Sequence, residues 1–208
     1  MKNDNVDGAR LAVIGLGYVG LPLAVAFATL RDVVAFDISE DRIEELNNGI
    51  DSTLEFKPSE LVNFNRIMFT SDIEDIRDRN IYIIAVPTPV DSKNQPNVSS
   101  ILSATAMVGE LLDEGDLVIY ESTVYPGLTE ELCVPALEQA SGLKFNRSFY
   151  VGYSPERVNP GDAKHGLNSI IKLTAGSTPQ IAERVDELYR EIIDAGTFKV
   201  DSIRIAKA

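Results

Sequence analysis

Residues 10–37 read RLAVIGLGYVGLPLAVAFATLRDVVAFD, and the fold is decided inside that stretch. Arg10–Ile14 is a short apolar run stopped by glycine, as expected of a strand buried on both faces. Tyr18–Leu30 is apolar nearly all round and predicts a buried helix. Pro22 is tolerable near its start, where the first turn has no intrahelical partner for the N–H that proline lacks. Asp32–Asp37 predicts a second buried strand. Between the first strand and the helix, Gly15, Leu16, Gly17, Tyr18, Val19 and Gly20 fit G-x-G-x-x-G. Alone that pattern is weak; directly after a strand and at the head of a helix it is a dinucleotide-binding signature.

Each glycine in it has a physical task. Gly15 permits the tight turn, Gly17 lets the backbone approach a pyrophosphate, and Gly20 lets helix and strand pack closely. The helix amino end offers N–H groups and a partial positive charge to the phosphates. Asp37 ends the second strand, twenty-two positions after Gly15. A carboxylate there accepts hydrogen bonds from the adenosine ribose hydroxyls and repels a 2′-phosphate, which favours NAD over NADP. Arg42 reads as packing or bonding at the adenosine end. A bare turn with a helix-capping acid would also account for these residues, but strand, glycines, helix, strand and acid all fall in register.

Outward from this stretch the periodicity keeps alternating. Ser39–Asn48 predicts an amphipathic helix with a serine cap, early acids and a stop at Gly49. Asn80–Val86 and Asp116–Tyr120 are further buried-strand runs, and Val98–Glu114 between them carries helical spacing at Ile101, Met107, Val108, Leu111 and Leu112. Phe149–Gly152, Ile170–Ala175 and a periodic helix at Pro179–Ala195 follow. The expected fold is α/β, a doubly wound, mostly parallel, Rossmann-like sheet in three layers. Asp91–Asn97 reads as a surface crossover.

Composition narrows the partners. The 208 residues are 44% hydrophobic and 25% charged, as in an ordinary globular protein. Lys plus Arg number 19 against 32 Asp plus Glu, a net charge of −13 that argues against a nucleic-acid partner. Leu11–Leu30 is uncharged but holds three glycines and a proline, so it reads as strand, turn and helix and not as a membrane span. Met1–Arg10 lacks the apolar core of a signal peptide, and the expected location is cytoplasmic. The single cysteine, Cys133, excludes an intramolecular disulfide framework and reads as a small core residue. With one histidine, His165, in an expected loop, and no acidic cluster at ligand spacing, no metal site is expected.

GLGYVGLPLA (15–24), FDIS (36–39), AVPTP (85–89), ESTVYPG (121–127) and YSPERVNPGD (153–162), in that order, resemble the UDP-glucose/GDP-mannose dehydrogenases. The nearest branch is the one that oxidises UDP-N-acetylhexosamines, including the Vi-polysaccharide type. The resemblance implies NAD-dependent oxidation of the sugar C6 hydroxyl, through an aldehyde and an enzyme thioester, to a uronic acid for surface polysaccharide. The sugar (gluco, galacto or manno) stays open.

Carried over position by position, Val19, Asp37, Arg42, Thr88 and Thr123 match cofactor-contacting positions. Thr88 lies between Pro87 and Pro89 beyond a strand end, where a plain turn is the other reading. Thr123 would also hold a water near the nicotinamide and the C6 oxygen, unless it merely turns the chain into the next helix. Glu156 matches the acid that assists water attack on the thioester, or else pairs with Arg157. A second family glutamate is replaced here by Pro160, which weakens plain UDP-glucose as substrate.

The resemblance further implies that 1–201 form the NAD-binding domain and 202–208 open a longer central helix. The UDP-binding domain and its Gly-Gly-x-Cys nucleophile would lie outside this chain, Lys207 falls on a non-catalytic helix position, and the intact protein is expected to be a homodimer. A stand-alone or regulatory NAD-binding module without catalysis is the alternative reading.

Overall fold

The computed structural model describes residues 6–57, 60, 65–89, 96–156 and 170–207. Five parallel crossovers build its core. Strands β1 (Leu11–Ile14), β2 (Val33–Phe36), β3 (Ile67–Thr70), β4 (Ile81–Ile84), β5 (Asp116–Tyr120) and β6 (Phe149–Tyr153) all run one way. β7 (Lys172–Gly176) turns back antiparallel to β6, and β8 (Thr197–Lys199) lies parallel to β7. The sheet order is β3-β2-β1-β4-β5-β6-β7-β8.

β1, β2, β4 and β5 are buried along their whole length, which is why they read as continuous apolar runs and not as alternation. Successive side chains still point to opposite faces. Leu11, Val13, Val33, Ala35, Ile81 and Ile83 join one core with α1 (Gly20–Ala28), α2 (Glu40–Asn47) and α5 (Pro179–Arg190). Ala12, Ile14, Val34, Phe36, Tyr82 and Ile84 join the other with α3 (Ser99–Gly109), α4 (Val134–Ser141) and the short α6 (Ile203–Ala206). The architecture is thus the three-layer, doubly wound sheet that the alternation implied.

Three features depart from the expected string. β3 and β8 are edge strands, half-exposed over most of their length, so neither carries a strong apolar signal. The helix expected after Thr123 is divided into a π-helical turn, Thr129–Cys133, followed by α4. Pro135 sits just past the join, where it cannot donate to the helical ladder. Finally, alternation of strand and helix gives no hint that β7 reverses direction. Arg157, Pro160, Asp162, Lys164 and His165, and residues 91–95 of the expected crossover, lie outside the described residues.

Candidate functional site

Apart from Arg42, which lies in α2, the cofactor and catalytic candidates from the sequence each follow the carboxyl end of a parallel strand. Gly15–Gly20 follow β1, Asp37 follows β2, Thr88 β4, Thr123 β5 and Glu156 β6. Parallel strands bring those ends to one edge of the sheet, and the sheet order sets them out as Asp37, glycine turn, Thr88, Thr123, Glu156. With neighbouring strands about 4.8 Å apart, β2 to β5 covers roughly 14 Å of that edge. Strand order reverses between β1 and β4, the place where an open α/β sheet leaves a crevice for ligands.

The glycine turn is shaped by close approach. Gly15 has φ +91°, and a Cβ on Gly20 would lie 1.8 Å from the Gly15 carbonyl oxygen. At Gly17 the reverse holds, since a Cβ there would meet nothing within 4 Å. α1 opens beside that space with Val19 as its N-cap and no side-chain cap. By contrast, Ser39 at α2 and Thr178 at α5 accept from the Arg42 and Ile181 amides. An uncapped helix start facing open space suits an anion such as a pyrophosphate. Tyr18 and Val19 stand at its mouth, Tyr18 exposed and Val19 half-buried.

Asp37 is held beside this turn. Its Oδ2 accepts from the Leu16 amide (2.8 Å) and its Oδ1 from the Ser39 amide (2.9 Å). Each oxygen keeps a further lone pair for a hydroxyl donor. Arg42 donates through Nε to the Leu16 carbonyl (2.9 Å) and through its other nitrogens to Asp51 (2.7 Å), Glu45 and Ser52 (3.2 Å each). Leu16 is therefore fastened at both its N–H and its carbonyl. Burial pushes the Asp51 carboxyl up, but hydrogen bonds from Thr53, Arg42 and the Phe56 and Thr53 amides outweigh it and hold the group below its ordinary value. Together Asp37, Arg42 and the glycine turn fit the adenosine and diphosphate parts of a dinucleotide.

Farther along the edge, two hydroxyls stitch the segments after β4 and β5. Thr88 Oγ1 donates to the Thr123 carbonyl (2.6 Å) and Ser122 Oγ to the Val86 carbonyl (2.6 Å). Glu156 follows β6, whose continuation is tied by the Ser154 amide to the Tyr120 carbonyl (3.0 Å).

Three residues that sequence reasoning missed lie behind this end. Lys172, the first residue of β7, donates to Glu121 Oε2 (2.7 Å), to the Pro155 carbonyl (3.2 Å) and to Glu156 Oε2 (3.5 Å). The Tyr189 hydroxyl of α5 donates to the other Glu121 oxygen. Burial pushes the Glu121 carboxyl up to about 7, with Glu156 adding to the rise and Lys172 and Tyr189 opposing it. One signal for them exists in the sequence, a single polar residue at the end of an apolar run or inside one (DLVIYE, IIKLTAG), but it does not say which partner each meets.

Cys133 is buried, and burial pushes its thiol up. Lys207 bonds Thr129 (2.6 Å) and Glu130 (3.2 Å) and lies 4.8 Å from the Tyr153 ring centre, so it docks the α6 segment on the π-helical turn. Among the described residues, no helix is long and apolar enough to cross a membrane, and no three His, Cys, Asp or Glu gather as metal ligands.

Residues 9–193 match the UDP-glucose/GDP-mannose dehydrogenase family, NAD binding domain. The chain is 55% identical over 203 residues to UDP-N-acetyl-D-glucosamine 6-dehydrogenase of Salmonella typhi, covering 98% of this chain and 48% of that protein. It is 56% identical over 199 residues to the protein of the same name from Pseudomonas aeruginosa, covering 96% and 47%. Among solved structures, the UDP-D-ManNAc dehydrogenase of Pyrococcus horikoshii superposes with a TM-score of 0.83 at 33% identity, over 95% of this chain and 48% of the other. The chain thus spans about half the length of the relatives it matches.

Proposed function

The chain belongs to the UDP-glucose/GDP-mannose dehydrogenase family as its NAD binding domain, and from that premise we propose that it is the cofactor-holding half of a UDP-N-acetylhexosamine 6-dehydrogenase. The observation that carries the reading is the uncapped, glycine-open start of α1 with Asp37 pinned beside it. The substrate supported by the two relatives above half identity is UDP-N-acetyl-D-glucosamine. The product is then the uronic acid, and the whole protein acts as a cytoplasmic homodimer.

Bound NAD would accept a hydride from the sugar C6. The chain's own residues prepare that event. Amides of the glycine turn hold the diphosphate, and Asp37 accepts from the adenosine ribose hydroxyls while Arg42 keeps Leu16, and so the turn, in place. Thr88 fixes the Thr123 carbonyl, which leaves the Thr123 hydroxyl free in role to hold a water near the reacting oxygen. Glu156 takes the proton of the water that attacks the thioester. The thioester sulfur comes from outside these 208 residues, since Cys133 is a buried thiol facing the core.

Calorimetric titration of the chain tests this reading. NAD should bind and NADP bind far more weakly. Asp37→Ala should weaken NAD by about ten- to a hundredfold, the worth of hydrogen bonds to a charged group, without unfolding the chain. Unchanged affinity in that variant, or no NAD binding by the wild type, overturns it.

A further inference from the structure

β7 is the strand that breaks the parallel pattern, and its direction has a chemical consequence. Its register with β6 pairs Gly152 with Gly176 and Tyr153 with Ala175. Continued past the last pair, that register sets Lys172 across from Glu156. Had β7 run parallel to β6, its first residue would have stood at the opposite edge of the sheet. The reversal delivers a cation to the edge where Thr123 and Glu156 end their strands.

The cation is almost wholly withdrawn from water, its side chain 5% exposed. A buried ammonium needs its three N–H donors satisfied. They go to Glu121 on β5's continuation, to the Pro155 carbonyl, and to Glu156. Glu121 is the nearer carboxylate, 2.7 Å against 3.5 Å, and its second oxygen is held by Tyr189. The aromatic ring of Tyr189 also faces the ammonium, 5.8 Å from ring centre to Nζ. The remaining two bonds reach the Pro155–Glu156 backbone and side chain.

We propose that Lys172 is a positioning residue for Glu156, anchored by Glu121 and Tyr189, and that Glu121 keeps Lys172 from closing a tight ion pair with the carboxylate it positions. The proposal rests on the reading of Glu156 as the group that takes a proton from water. Lys172 fixes where that carboxylate stands. Glu121 takes the shorter bond from the ammonium, 2.7 Å, and so holds Lys172 at 3.5 Å from Glu156.

A double-mutant cycle in the full-length protein, with UDP-N-acetyl-D-glucosamine and NAD, tests it. Lys172→Met should lower kcat at least tenfold with the KM for NAD unchanged, and Lys172→Arg should recover most of the loss. In a Glu156→Gln background, Lys172→Met should cost little more. Glu121→Gln should also lower kcat, because Lys172 is then released toward Glu156. Glu121→Gln/Lys172→Met guards against misfolding, and NAD titration of each variant in the 208-residue chain confirms an intact cofactor side. Additive losses, or an undiminished kcat in Lys172→Met beside an impaired Glu156→Gln, overturn the proposal alone. A Glu156→Gln enzyme with full kcat instead overturns the reading of Glu156 on which it stands.

Discussion

At the β1–β2 end of the crevice, the groups that face the ligand space are backbone amides and one carboxylate, held by partners 21 and 26 residues away in sequence. At the β5–β7 end, side-chain charges are buried, and the bonds that fix them join residues 51 and 68 apart. The first end is open by construction: Gly17 leaves space and α1 has no side-chain cap. The second is closed and already satisfied by its own counter-charges. On the proposed reading, the first end receives a diphosphate and gains from leaving its donors uncommitted. The second, on the same reading, keeps a carboxylate in one place and gains from committing every donor.

That contrast predicts different ways to fail. The largest effect belongs to the glycine turn. Gly20→Val puts a branched side chain where even a Cβ would meet a backbone oxygen at 1.8 Å. NAD affinity should fall more than a hundredfold, with a lower melting temperature, since backbone cannot step aside as a flexible side chain can. Near-native NAD binding in that variant would erase the distinction between the two ends.

At the other end the damage should appear in stability and not in NAD binding. Lys172→Ala leaves Glu121 buried without its ion partner and should cost about 3–5 kcal/mol in urea unfolding. Glu121→Gln/Lys172→Met, which keeps an acceptor for the Tyr189 hydroxyl, should recover most of that. Both should bind NAD as the wild type does. If the double variant is as unstable as Lys172→Ala, the charges themselves matter less than the lysine's contacts with the Pro155–Glu156 segment.

A smaller effect is expected in pH dependence. Burial raises the Glu121 carboxyl from 4.5 to about 7, so between those values the folded chain holds a proton that the unfolded chain has released. Its contribution to stability is complete below pH 4.5 and is lost as the pH rises through 7. Wild type should therefore lose stability from pH 5 to 8 relative to Glu121→Gln, which cannot titrate. Parallel curves for the two would show that Glu121 stays ionised throughout.

How far the sequence reached follows the same division. RLAVIG, DVVAFD, NIYIIAV and DLVIY announce strands because burial on both faces demands unbroken apolar runs. The glycine turn is legible because φ above zero and close backbone approach admit almost no other residue. Arg42 was placed near the adenosine end, yet its bond to the Leu16 carbonyl could not be read, since a guanidinium has several acids within reach along the chain. β3 and β8 escaped because edge strands need little apolar surface, and Tyr189 passed as one more core aromatic on a periodic helix.

By itself, then, the sequence determined which residues form every strand of the sheet but the two at its edges, where the dinucleotide turn lies and which strand ends carry Asp37, Thr88, Thr123 and Glu156. Those are consequences of local period, of glycine's missing side chain and of parallel crossovers that deliver every strand end to one edge. The tertiary structure alone decided that β7 runs backward, and with it that Lys172 meets Glu121 and Glu156. Strand direction is settled by how distant segments pair and pack, and no local pattern of apolar and polar residues distinguishes a strand from its reversal.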